Sequence, residues 1–589
     1  MSAAAAGAAE RAEWLQVLEA DSPILLIAPH GGRAGPAARA TLHPKVNDLH
    51  TAEIARELAH RLGAAALINF GMDRNRLDCN RLTQLAEQAP WLLEMLAERM
   101  ARIVARHGRA IVLMIHGWNI IEPRVDIGLG VRTIGAELRP TGSARVSASD
   151  EFIHGPLTDF AARLRESGVT PSFGMRYPAG ALHNLVQAFT ERHRDSPLPA
   201  LRAIAALSVN SQVDAAQLEL SVAVRMPGRL RDRCLEALAA AFDPGGIRAA
   251  STRARLTVVR EPRPRAAAPA RATAPTLPAR VGIELFDLRA GIGAMASFDL
   301  RGGFGARIMI LSHARRVALC TCEGRVKFAG DGLSLGPLTL AVEGRELRLA
   351  FSGPAVIVPD AAAYLSIERA LASGRLDPAA KVSLAMRLPE RSFDPAAIFG
   401  GGDTSRAGEW VASFAKMNGA IEIEGESTPV HAVARAGLSF TGLGPQQFRE
   451  RRMLWACFED GRDPSALELR IVTGESGEAH RSANFVAAGV SNKAELAALE
   501  IDTPAPDAPP SRITASARWR GEEIALAGSV AAFVPLSRPG SGHGRIFTTL
   551  GFAKFRVAGR EAAGMFEYSR VVDAPAAAPA DDDDETPAE

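Results

Sequence analysis

Two histidines stand where strands are expected to end. His30 closes the apolar run ILLIAPH and His116 closes IVLMIH, and each is followed by glycine, which lets a backbone turn tightly beside a ligand. Two imidazoles at neighbouring strand ends can give two nitrogen ligands to a zinc ion, with an acidic side chain and a water completing an open site. Histidines merely hydrogen-bonded to loops would leave the same pattern. A second cluster, Asp73-Arg74-Asn75-Arg76-Leu77-Asp78-Cys79-Asn80-Arg81, packs three arginines among amides and carboxylates. A planar guanidinium grips a carboxylate through two parallel hydrogen bonds, so the cluster suits an anionic substrate; a surface turn with internal ion pairs is the alternative. The third is QLELSVAVR at 217–225, read as a strand with Leu218, Leu220, Val222 and Val224 on one face and Gln217, Glu219, Ser221 and Arg225 on the other. A carboxylate there could act as a general base, or the segment is a plain edge strand.

The elements that must position these residues alternate. SPILLIAPHGG reads as a strand, DLHTAEIARELAHRLGA as an amphipathic helix ending at Gly63, AALINF as a strand, PWLLEMLAERMARIVARHG as a helix ending at Gly108, and AIVLMIHGWN as a strand. Such alternation predicts an α/β domain with a mainly parallel mixed sheet, whose sites lie at the carboxyl ends of the strands. Residues 261–280, rich in Pro, Ala and Arg, read as a linker. Beyond them RVKFAG, LTLAVEG, LRLAFSG, GAIEIEG, LELRIVTG and ITASARW alternate between turn residues, an all-β pattern with a helical insertion near AAAYLSIERALASG. The expected organisation is a flexible leader (1–20), the α/β domain (21–250), the linker, two β-barrels or sandwiches (281–400 and 405–573), and a disordered acidic tail (574–589).

The 589 residues carry 68 basic and 66 acidic side chains, a net charge of +2, and no basic stripe of the kind nucleic-acid binding requires. No run of about 18 apolar residues predicts a membrane span, and the opening MSAAAAGAAERAEW lacks the basic segment and apolar core of a secretory signal. Five scattered cysteines imply no disulfide framework. Cys320 and Cys322 are the one close pair, a weak metal signal. A reduced, cytoplasmic protein is expected.

In this order, APHGG at 28–32, NDLHT at 47–51, DRNRLDCNR at 73–81, IHG at 115–117, RVDIGLG at 124–130 and QLELS at 217–221 resemble the N-formylglutamate amidohydrolase family, of the wider group that holds aspartoacylase and the zinc carboxypeptidases. The resemblance covers roughly residues 20–245. It implies Zn2+ held by His30 and His116, a carbonyl-polarising Arg74, Asn80 and Arg81 on a substrate carboxylate, Asp78 orienting the arginines, and Glu219 as general base. The sister families take their acidic ligand from His-x-x-Glu, but position 33 is arginine; Asp48 is the candidate, with His50 and Glu53 as competitors. On this reading the chain hydrolyses an amide bond of a small acyl-amino-acid-like carboxylate.

GAIEIEGESTPVHAVARAGLSFTG, MLWACFEDG and AGMFEYSRV resemble tandem lipocalin-like barrels of the hydroxyneurosporene-synthase and AttH type, in which Trp410, Trp455, Phe458 and Trp519 would be core. The resemblance opens a second reading: a non-catalytic binding or scaffold protein whose barrels hold an apolar ligand. A serine esterase built on Gly332 to Gly336 around Ser334 fits poorly, because a nucleophile elbow needs a strand-to-helix turn.

Overall fold

The computed structural model describes residues 13–35, 45–243, 257–258, 278–300, 306–312, 316–324, 326–399, 410–439, 448–458, 464–474, 476–487, 489–503, 510–539 and 544–573. Most of the expected leader and linker, and the whole acidic tail, lie outside these residues. Two compact units result, one within residues 1–268 and the other mainly within 269–577.

In the first unit the strands are β1 (Leu15–Leu18), β2 (Ile24–Ala28), β3 (Ala65–Asn69), β4 (Ala110–Trp118), β5 (Arg124–Gly128), β6 (Val131–Ile134), β7 (Glu137–Pro140), β8 (Thr170–Phe173) and β9 (Val213–Ser221). Seven form one mixed sheet in the order β1-β3-β2-β4-β9-β5-β8, while β6 pairs with β7, and β7 with Thr257–Val258, in a small separate sheet. The neighbours β3, β2, β4 and β9 run parallel; β1 and β5 join antiparallel.

Central parallel strands are covered on both faces and read as continuous apolar runs, as AIVLMI in β4 does. Its Ile111, Leu113 and Ile115 enter one core, and Val112 and Met114 the other. The helix Thr51–Leu62 buries Ile54, Leu58 and Leu62 at four-residue spacing and ends where Gly63 takes φ 57°. On the opposite face Pro90–His107 buries Leu92, Leu93, Leu96, Met100 and Val104. Full burial of each such side chain stabilises by about 1.5–3 kcal/mol. Segment 217–225 departs from expectation. β9 stops at Ser221, Val222–Arg225 forms a helical turn, and the strand is buried along its whole length between β4 and β5 rather than lying at an edge.

Among the described residues of the second unit all strands pair antiparallel, with the helix Ile367–Ser373 and short 3-10 turns between them. Its first sheet has eleven strands. Arg280–Asp287 pairs with Glu426–Ser439 and Val317–Leu319 with Val356–Val358, so the ladder returns on itself. The expected boundary at 400–405 is corrected here: Trp410–Ile423 and Glu426–Ser439 belong to this first sheet. Their long hairpin reads as a fresh start in sequence, whereas hydrogen bonding to Arg280–Asp287 and Arg375–Arg387 decides its membership. The eight strands from Phe448 to Asp573 then form a closed barrel, the last pairing with the first. Gly332–Leu335, around Ser334, is a plain strand in a meander, so no nucleophile elbow exists there.

Inside this unit Arg435 is 2% exposed. It donates to Glu468 Oε1 at 2.6 and 3.0 Å and lies 3.5 Å from Glu284 Oε2, which accepts from Trp455 Nε1 at 2.7 Å. Trp455 and Phe458 are buried, while Trp519 is half-buried; the Trp410 side chain lies outside the described residues. Cys320 and Cys322 are buried free thiols, 3.8 Å apart, in the core of the first sheet. Among the described residues no helix is long and apolar enough to cross a membrane.

Candidate metal centre

The carboxyl ends of β2, β4 and β9 converge on one buried point. Two residues past β2, His30 follows Pro29; His116 is the seventh residue of β4, and Glu219 on β9 is its register partner. Asp48 arrives from the loop before the helix Thr51–Leu62, with its backbone N–H donated to the His30 carbonyl at 2.8 Å. His50, which caps that helix, takes the left-handed region at φ 68°. The glycines after His30 serve a different contact from the one expected. A Cβ on Gly32 would lie 1.8 Å from the Met72 carbonyl oxygen, and one on Gly31 2.5 Å from that of Asn69, so both let the chain pack against the β3 exit.

His30, Asp48 and His116 are each 2% exposed, and one ligand atom from each lies within 4.8 Å of the others. Asp48 Oδ2 is 3.3 Å from His30 Nδ1 and 3.6 Å from His116 Nδ1. Tetrahedral zinc with bonds of about 2.0–2.1 Å separates its ligands by about 3.3 Å, so this N, N, O set fits such an ion. His116 Nε2 is buried with no hydrogen-bond partner among the described residues. His30 Nε2 sits 2.6 Å from Asp78 Oδ1, the carboxylate contact that orients a metal-bound imidazole. Of the competitors, His50 is half-buried and Glu53 exposed, and neither joins the group.

Charge around the point is uneven. Burial is the largest influence on His116 and, with the nearby His30, pushes its pKa down to about 4, leaving a lone pair free at neutral pH. Burial and Arg74 press His30 downward, but Asp78 and Asp48 outweigh them and its pKa is raised. Burial likewise opposes ionisation of Asp48, yet its contacts with His116 and His30 hold its pKa far below the usual carboxylate range. Glu219 goes the other way: burial first, then the Asp48 charge, push it up to about 8, so it carries a proton at neutral pH.

The arginine cluster borders this point. Arg74 Nη1 is 3.4 Å from Asp48 Oδ1, and Nη2 is 3.5 Å from Asp78 Oδ2. Asn80 donates its backbone N–H to Asp78 Oδ1 at 3.1 Å, and its side-chain Oδ1 is buried without a partner among the described residues. Arg81 precedes the helix Leu82–Gln88, and its backbone bridges Asn184. Asp73 organises the loop, accepting from the Gly35 and Asn75 amides. Three contributors were not singled out as ligand-shell residues from sequence. Gln217 Nε2 donates to Glu219 Oε1 at 2.7 Å, and its place two residues before Glu219 on a strand was the signal for it. Fully buried Asp126 accepts from the Ser172 hydroxyl and the Met175, Arg176 and Tyr177 amides. Arg225, expected on the strand face of Glu219, folds back under the site.

No family model matches the chain, and no curated protein matches it. Solved structures do. One described as an AttH from Nitrosomonas europaea is 13% identical, with 50% of this chain and 92% of that one covered and a TM-score of 0.30. Kievitone hydratase from Nectria haematococca is 10% identical, with 50% and 89% covered and the same TM-score of 0.30. The amidohydrolase reading is corrected here: no comparison ties the chain to the N-formylglutamate amidohydrolase family. The physical reason is that short motifs can gather histidines, carboxylates and arginines at the carboxyl ends of strands without carrying a particular reaction with them.

Proposed function

We propose that the chain is a binding protein whose carboxyl-terminal barrel takes up an apolar molecule. An eight-stranded barrel is just wide enough to be filled by side chains or to hold one small ligand. Leu454, Leu467, Leu469, Ile513, Phe555 and Phe566 pack into one apolar core in this barrel. The observation that carries the reading lies at the barrel end where Phe458 pairs with Ser465, Ala487 with Val490, Trp519 with Glu522 and Val557 with Arg560. There Phe485 and Trp519 stack at 4.4 Å, both only half-buried, and Phe458 lies 6.4 Å from Phe485. The Arg520 and Arg560 guanidinium groups lie over the Trp519 and Phe458 rings at 4.6 and 4.5 Å. Aromatic faces with cations above them suit an apolar body with an anionic head. Titration with a dansyl-labelled long-chain fatty acid is expected to give saturable fluorescence near one probe per chain, weakened by Trp519→Ala. Fluorescence no different from buffer would reject the reading.

A second reading rests on the buried N, N, O set of His30, Asp48 and His116: the first unit binds a divalent cation, Zn2+ by its donor types. His30, Asp48 and His116 would hold the ion, Asp78 would orient His30, and the Glu219 carboxyl would lie beside His116. A bound cation supplies positive charge that polarises an oxygen ligand, next to the Arg74 guanidinium. Metal analysis after dialysis against zinc tests this directly, with about one ion per chain expected and none in His116→Ala.

A further inference from the structure

Among the described residues of the first unit Arg225 is the most deeply buried arginine, at 1% exposed, and its partners share one feature. Nε donates to the Leu220 carbonyl at 2.9 Å, Nη1 to the Leu49 carbonyl at 2.7 Å, and Nη2 to the Trp118 carbonyl at 3.3 Å and to Asn119 Oδ1 at 2.9 Å. Leu49 follows Asp48, Trp118 lies two residues past His116, and Leu220 follows Glu219. One guanidinium therefore fastens the backbone just downstream of three residues of the cation pocket. These segments belong to a loop, to β4 and to β9, which no other single side chain named above joins.

The contact is also shaped by Gly117. A Cβ there would lie 2.6 Å from Arg225 Nη1 and 2.9 Å from Asp48 Cβ, so the guanidinium packs flat against the glycine. The amide of the same glycine donates to Asp48 Oδ2 at 2.9 Å, the oxygen that faces both imidazoles. A buried guanidinium costs desolvation energy, which hydrogen bonds must offset; here all its partners are fixed carbonyl-type oxygens. A lysine could not replace it, because an ammonium has neither the flat shape nor the fork of donors that reaches three separated segments.

We propose that Arg225 is the positioning residue of the cation pocket: by holding the Leu49, Trp118 and Leu220 carbonyls it sets the separation of Asp48, His116 and Glu219. This rests on the cation-binding reading above. Outer contacts of this kind typically alter metal affinity roughly 10–100-fold.

The test uses Co2+ as a spectroscopic probe on the full chain. Wild-type protein is expected to give the intense visible bands of a tetrahedral ion. Arg225→Lys, with native far-UV circular dichroism, should bind Co2+ roughly 10–100-fold more weakly and with reduced band intensity, as the ligands spread and water enters. Asn119→Ala, which keeps the arginine and removes one acceptor, should show the same change to a lesser degree. Wild-type protein that takes up no Co2+ overturns the cation reading itself. Wild-type binding with unchanged affinity and spectrum in both variants overturns only the role of Arg225. A folded Asn119→Ala with wild-type Co2+ bands beside an unfolded Arg225→Lys also overturns it, since the arginine would then serve folding alone.

Discussion

His116 and Glu219 are register partners on neighbouring parallel strands, with Nδ1 and Oε1 3.9 Å apart. Same-register residues on parallel strands project to the same face, so the pairing of β4 with β9 brings an imidazole and a carboxyl together. Burial and the Asp48 charge favour the neutral acid and push Glu219 up to about 8. The unfolded chain ionises this group near its ordinary value of 4.5, so between those values the native state binds the extra proton. The stability Glu219 contributes is complete below the lower value and is lost as pH rises through about 8. Glu219→Gln should flatten the decline in Tm across that window. An unchanged decline in the variant refutes the assignment.

Cation binding should release protons. Asp78 and Asp48 raise the His30 pKa against burial and Arg74, so a metal at His30 competes with a proton these carboxylates favour, whereas burial pushes His116 down to about 4. Affinity for zinc is therefore expected to climb as pH rises. Calorimetry in buffers of different ionisation enthalpy reads the released protons directly; an affinity flat with pH would contradict the arrangement.

Asp78→Asn keeps the size of the side chain and removes the charge that faces His30 at 2.6 Å. Zinc affinity should fall roughly 10–100-fold, measured by competition with a chromogenic chelator. The wild-type carboxyl is pushed upward by burial but held well below its ordinary range by His30 and Arg74. The stability it contributes is present above the usual carboxylate value and is lost as pH falls towards the depressed one. The variant should lack that acid-dependent component.

Gly32→Ala and Gly63→Ala should differ sharply. A Cβ at Gly32 would meet the Met72 carbonyl oxygen at 1.8 Å, whereas at Gly63 nothing lies within 4 Å and only the left-handed φ of 57° opposes it. The second is expected to cost about 1–2 kcal/mol; the first should exceed about 4 kcal/mol or abolish folding of this unit. Urea denaturation followed by circular dichroism compares them.

Arg435→Met strips Glu468 and Glu284 of their shared cation. Removing one member of a buried pair typically costs about 3–5 kcal/mol, and the partial exposure of these two glutamates should reduce that to about 2–3 kcal/mol. Adding Glu468→Gln and Glu284→Gln should recover part of the loss. If the triple variant is no better than the single, the ion pairs are not what holds this part of the unit.

Much of the first unit was legible because helix and strand periods are written locally. Gly63 and Gly108 marked helix ends, and Asp48 stood out in NDLHT. Gln217 could have been read from its spacing to Glu219. Arg225 could not: a strict alternation carried through Ser221 puts it on an open face, whereas the chain turns helical and buries it. Nor could the membership of Trp410–Ile423 and Glu426–Ser439, since a β-hairpin carries no local sign of the strand it will pair with.

From the residues alone followed the elements, their order and the kinds of donor available: imidazole, carboxylate, guanidinium, aromatic ring. These depend on side-chain chemistry and on periods of a few residues. Only the tertiary fold decided which donors meet, because His30, Asp48, His116 and Glu219 are separated by long stretches of chain and come together through strand register and one buried arginine. The same holds for the closed barrel, whose last strand finds its first across the whole of its sequence. Ring closure is a long-range hydrogen-bonding choice that no local pattern encodes.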